Sequence, residues 1–117
     1  MSQVPPVIPY PVLVGQIIQA HRDQLGLHQS QIANAMGLSR SAYSRIESGD
    51  TSMTLSQLRP VARSLGLAPS ELLAEADNYA GQLEASGVSI PDVKAVNPAA
   101  LLIGLGLLAA LIAATSG

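Results

Sequence analysis

Gly26, Gly37, Gly49 and Gly66 cut residues 13–67 into short segments, each carrying apolar residues at helical spacing. This punctuation leaves room only for short helices joined by tight turns. Val14, Ile17, Ile18 and Leu25 predict a first helix over about 13–24, ended by Gly26. Ile32, Ala33 and Met36 predict a second over 29–36, and Gly37 supplies the positive φ its turn needs. Ser39 is a good N-cap for a third, over about 40–48, with Tyr43 and Ile46 turned inward and Gly49 closing it.

The rest of the chain continues the theme. Thr54-Leu-Ser-Gln57 is a capping box opening a fourth helix that runs to Gly66, with Pro60 inside it predicting a kink or split turn. Pro69 suits the first position of a fifth helix, whose inner face would carry Leu72, Leu73, Ala76, Tyr79, Ala80 and Leu83. Ahead of this block, Pro5, Pro6, Pro9 and Pro11 predict an extended, polyproline-like arm and argue against a signal peptide. The fold class is all-α: a compact five-helix bundle with a helix-turn-helix, plus a separate apolar C-terminal helix. The division is a Pro-rich arm over 1–12, the helix-turn-helix domain over 13–84, a linker over 85–98 and an apolar helix over 99–114.

Composition narrows the function classes. Without cysteine there is no disulfide, thiolate metal site or cysteine nucleophile. His21 and His28 have no Asp/Glu cluster beside them, so no metal and no cofactor is expected. Glu71 and Glu75 lack the partners of a catalytic carboxylate pair and read as a solvated face, so the chain is not expected to be an enzyme. There is no Trp or Phe, which argues against stacking on single strands. The formal charge of −2 is unevenly placed. Residues 1–67 hold five Arg against Asp23, Glu47 and Asp50, net +2; residues 68–117 hold Lys94 against five acids, net −4. A mildly basic half would neutralise few phosphates, so binding to nucleic acid would need two copies.

The second and third helices form a unit whose general use is to set the latter in a DNA major groove. The outward set would be Ser39, Arg40, Ser41, Ser44 and Arg45: Arg can pair bidentately with guanine, and Ser can meet base or phosphate. Gln29 opens the second helix as a phosphate contact, and Thr51 and Ser52 would touch backbone after the third.

Three stretches carry a family resemblance: Leu27-His28-Gln29-Ser30-Gln31-Ile32-Ala33, Gly37-Leu38-Ser39, and Tyr43-Ser44-Arg45-Ile46-Glu47-Ser48-Gly49. With Leu65-Gly66 through Glu71-Leu72, they resemble the lambda-repressor-like (xenobiotic-response-element, Cro-type) helix-turn-helix family over residues 13–67. The resemblance implies a bacterial or phage regulator, a repressor that binds double-stranded DNA as a homodimer. It implies Gln29 on phosphate, Ser39, Arg40, Ser41 and Arg45 on bases with Ser44 beside them, and an internal ion pair of Arg22 with Glu47. His28 stands where the family has a Ser/Thr cap, and Asp50 where many members carry Lys or Arg.

Residues 99–114 have no polar side chain and would span roughly 24 Å as a helix. Three readings stay open: a membrane anchor, a dimerisation helix, or a segment binding a protein partner such as a toxin. Gly106, Ala110 and Ala114 form a ridge of small residues suited to helix pairing, with Leu101 and Leu105 in the same helix. A cytoplasmic protein, membrane-associated if the helix is an anchor, fits each reading. A membrane-tethered adaptor and an autoregulating antitoxin are the alternatives to a DNA-reading repressor.

Overall fold

The computed structural model describes residues 4–92 and 97–115. The first residues of the arm, residues 93–96 of the linker with Lys94, and residues 116–117 lie outside the described residues. Six helices follow in order: α1 Tyr10–Gln24, α2 Gln29–Met36, α3 Arg40–Glu47, α4 Leu55–Ser64, α5 Pro69–Ala85 and α6 Pro98–Thr115. Among the described residues the only extended pairing is an isolated parallel bridge between Val7 and Ser89.

α1 is the central element, packing on α3, α5 and α6. Its Leu13, Ile17 and Ile18 are buried with Ile32 of α2, Tyr43 of α3, Val61 of α4 and Leu72 of α5. Three helix starts share one device: the residue at the third helical position turns its side chain back to the preceding backbone N–H. Gln31 accepts from His28 N at 2.7 Å, Gln57 from Thr54 N at 3.0 Å, and Glu71 from Ala68 N at 2.8 Å. Only at α4 does the cap residue reciprocate, Thr54 Oγ1 accepting from Gln57 N. α4 continues unbroken through Pro60.

α1 begins earlier than the proline pattern suggests. Pro9 caps it, and Pro11 falls in the first turn, where a missing N–H leaves no helix bond unmade. The rest of the arm is extended but tied down. Ser89 N donates to Pro6 O, Ile8 N to Ser89 O, Val7 N to Ala100 O and Tyr10 N to Pro91 O, all within 3.0 Å. Ile8 is fully buried. Residues 86–92 therefore form the partner of the arm, with Val88 buried in the core.

α6 is not detached from the bundle. It lies on α1, α5 and the arm. Its inner half holds Ala100, Gly104 and Leu108 fully in, with Leu101, Leu105, Leu111 and Ile112 partly buried. Gly104 sits against the backbone of Val7, where a Cβ would overlap the carbonyl. Tyr79 and Thr115 share a hydroxyl hydrogen bond at the far end.

Candidate nucleic-acid interface

The turn between α2 and α3 follows from local chemistry. Gly37 adopts φ +70°, and its N–H and that of Leu38 close on the carbonyls of Asn34 and Ala33. Two residues later Ser39 Oγ accepts from Ala42 N at 3.1 Å and starts α3. Tyr43 and Ile46 are buried, and that fixes what faces out. Ser39, Arg40, Ser41 and Arg45 are exposed, and Ser44 is half-buried beside Arg40 and Arg45. Positions 40, 41, 44 and 45 share one helix face by their spacing. Thr51 and Ser52 are exposed on the loop after α3, and Thr51 N donates to Arg45 O, tying that loop to the helix end. Beneath this loop lies a cleft of about 330 Å³ whose apolar walls include Val14, Met53, Leu58 and Leu73.

The inner side of α3 carries a buried polar network centred on Glu47, which is 3% exposed. Arg22 grips its carboxylate with both arms of the guanidinium, Nη2 to Oε1 at 2.7 Å and Nε to Oε2 at 2.9 Å. Tyr43 donates its hydroxyl to Oε2 at 2.6 Å, and Gln29 donates Nε2 to Oε1 at 3.2 Å. Arg22 Nη1 also reaches Leu27 O at 3.0 Å, across the α1–α2 turn. Burial alone would push the Glu47 carboxyl up; the bonds from Arg22, Tyr43 and Gln29 outweigh it and hold the group below its ordinary range. The same hydrogen bonds raise Arg22 further, and burial with Glu47 beside it pushes the Tyr43 phenol well above its usual range. One carboxylate thus joins α1, α2 and α3.

Glycine lets the backbones come close enough for this. Gly15 of α1 lies against the carbonyls of Ile46 and Glu47, where a Cβ would overlap the latter. Gly49, at φ +82°, meets Val12 Cα so closely that an added Cβ would stand 2.6 Å from it.

The structure brings Ser39, Arg40, Ser41, Ser44 and Arg45 to one surface, with Thr51 and Ser52 at its edge. Arg22 and Glu47 form an ion pair, 13% and 4% exposed. Gln29 is placed differently from the sequence reading: its amide is turned in on Glu47, because that buried oxygen lies within reach of the first turn of α2. Sequence reasoning took Tyr43 only as apolar filling, although its i, i+4 spacing to Glu47 was the available signal. It missed His21 Nε2 with Glu75 Oε2 at 2.7 Å and Tyr10 with Asp77 at 3.1 Å, both far apart in the chain. Burial and then Asp77 push the Tyr10 phenol up to about 12.

Gly106, Ala110 and Ala114, the ridge of small residues, are exposed on the outer half of α6, and Leu101 and Leu105 belong to its inner half.

Residues 18–72 match the helix-turn-helix family model. No curated protein matches the chain. Two crystal structures of the clp gene regulator ClgR from Corynebacterium glutamicum are similar in fold. One has a TM-score of 0.62 at 22% identity, covering 68% of this chain and 84% of that one. The other has a TM-score of 0.56 at 22% identity, covering 61% and 92%.

Proposed function

Because residues 18–72 are a helix-turn-helix domain of the lambda-repressor-like, Cro-type family, we propose that the chain is a sequence-specific double-stranded-DNA-binding transcriptional regulator, a repressor acting in the cytoplasm. The observation that carries this is the outer face of α3. Ser39, Arg40, Ser41 and Arg45 are exposed on a helix whose inner face is locked by the Glu47 network. A rigid helix with short polar and guanidinium groups on one side suits major-groove readout. Arg45 and Arg40 read base edges, with Ser39, Ser41 and Ser44 beside them. Thr51, Ser52 and the N-terminal turn of α2 with Gln29 meet phosphates. Gln29 has to share its amide between Glu47 and phosphate, which would couple DNA contact to the network. The similarity in fold to the clp gene regulator ClgR agrees with this reading.

The basic charge of residues 1–67 is small, so one copy would bind weakly and two copies on a roughly palindromic operator are needed. The test is to select duplexes with the full chain and compare variants on the selected site. Arg45→Ala should lose about 1–3 kcal/mol of discrimination at one base pair. Gln29→Ala should weaken selected and random duplexes alike. Equal binding of selected and random DNA by the parent and by Arg45→Ala overturns the proposal.

The exposed apolar half of α6 favours a second reading, a membrane-tethered adaptor or partner-binding antitoxin. Retention on duplex DNA at low salt separates an adaptor, which would flow through, from a regulator. An antitoxin would retain DNA and also bring a small partner protein with it.

A further inference from the structure

Deepening the two-copy reading above, we infer that the outer half of α6 is the seat of a second copy of this chain, twin helix against twin helix. Leu102, Ile103, Gly106, Leu107, Ala110 and Ala113 all lie on it and are all exposed. Leu102 is 71% exposed, Ile103 44% and Leu107 38%. An 18-residue helix is about 27 Å long, so its outer half presents roughly 500 Å² of apolar surface. That is at the upper end of what soluble monomers leave open and supplies most of the ~800 Å² per partner of a standard interface.

The inner half favours protein over lipid as the occupant of this face. α6 is seated by fitted contacts: Gly104 under the Val7 backbone, Val7 N on Ala100 O, and Tyr79 on Thr115. Seated this way its last turns, from Ala109 to Thr115, run between polar flanks, with Gln16, Gln19 and Asp23 on one side and Glu75 and Asn78 on the other. A bilayer around the outer half would draw those groups into hydrocarbon, whereas a protein interface wants an apolar centre with a polar rim.

The rim also suits self-association. A two-fold axis brings the rims of the two copies together, each contact being made twice. Of the charged rim groups, Glu75 is bonded to His21 at 2.7 Å and Asp23 lies 3.5 Å from Arg22; Gln16 and Gln19 are uncharged, and each amide can both donate and accept across the seam. Gly106, Ala110 and Ala113 allow the helices to approach closely. α6 packs on α1 and α5, and α3 packs on α1 and α2, so joining two copies through α6 leaves both α3 faces open.

The test uses the full chain without DNA, so that its failure is distinct from failure of the DNA reading. Purified without detergent, the chain should sediment at twice its own mass, and Ala110→Glu should sediment as a monomer with unchanged helical circular dichroism. Since the chain has no cysteine, Ala110→Cys should oxidise to a covalent dimer while Ala35→Cys, on the exposed side of α2, should not. A parent that sediments as a monomer overturns the inference. So does a dimer that survives Ala110→Glu. A chain that floats with phosphatidylcholine–phosphatidylglycerol vesicles and precipitates without them overturns it in favour of lipid.

Discussion

α3 and α6 each show one half to the body and one half outward, and they are finished in opposite ways. The outer half of α3 is polar and its inner half holds a directional network of hydrogen bonds on Glu47. The outer half of α6 is as apolar as its inner half, which is held mainly by packing and a close backbone approach at Gly104, with hydrogen bonds from Val7 to Ala100 and between Tyr79 and Thr115 towards its ends. The contrast teaches that α3 is complete in a single copy and α6 is not. Hydrogen bonds fix the angle of a short helix, and apolar contact fixes only that a helix is covered.

The contrast can be broken hardest at Arg22. Arg22→Ala leaves Glu47 buried without its cation and should cost about 3–5 kcal/mol in urea unfolding. A loss comparable to that of an exposed surface pair would show the network to be passive. The same site gives a pH signature. The Glu47 carboxyl is held low in the folded chain, so its contribution is present above the ordinary carboxylate range and is lost as pH falls through its folded value. Thermal melts should drop on the acid side, and Glu47→Gln should flatten that drop. Next is Gly15→Ala, whose Cβ meets backbone rather than a movable side chain; it should cost about 1–3 kcal/mol, as overpacking does, and loosen α3 from α1. Gly104→Ala is its counterpart at α6, expected to expose the helix to proteolysis and, by unseating the pairing face, to weaken DNA binding while α3 itself stays folded. The smallest effect sharpens the comparison from the other side. Gly81→Ala, in an open helical position, should stabilise by about 0.5–1 kcal/mol.

What was legible in the sequence was local. Glycine stops, the Thr54 cap and the apolar spacing place α2 to α5 closely, and the outward set of α3 follows once Tyr43 and Ile46 are inside. The Arg22–Glu47 pair came from resemblance, since nothing in the spacing of two residues 25 apart demands it. The bonds of the arm to residues 89–100 could not be read, because each joins backbone groups distant in the chain and backbone carries no sequence signal. The faces of α6 were hidden for another reason. A helix apolar all round has no hydrophobic direction, so only its neighbours decide which half is covered.

The stitching of Val7 to Ala100, with Gly104 beneath it, joins the segment before α1 to the helix after α5. A chain made from its N-terminus can fold α1 to α5 while the rest is still being synthesised, since those helices pack on one another. In the arm, Ile8 and Tyr10 find Ser89 and Pro91 ahead of the last helix, while Val7 N has to wait for Ala100 of α6. Docking of α6 on the arm completes that bonding, and only then does one half of α6 become the outer half that can meet another copy.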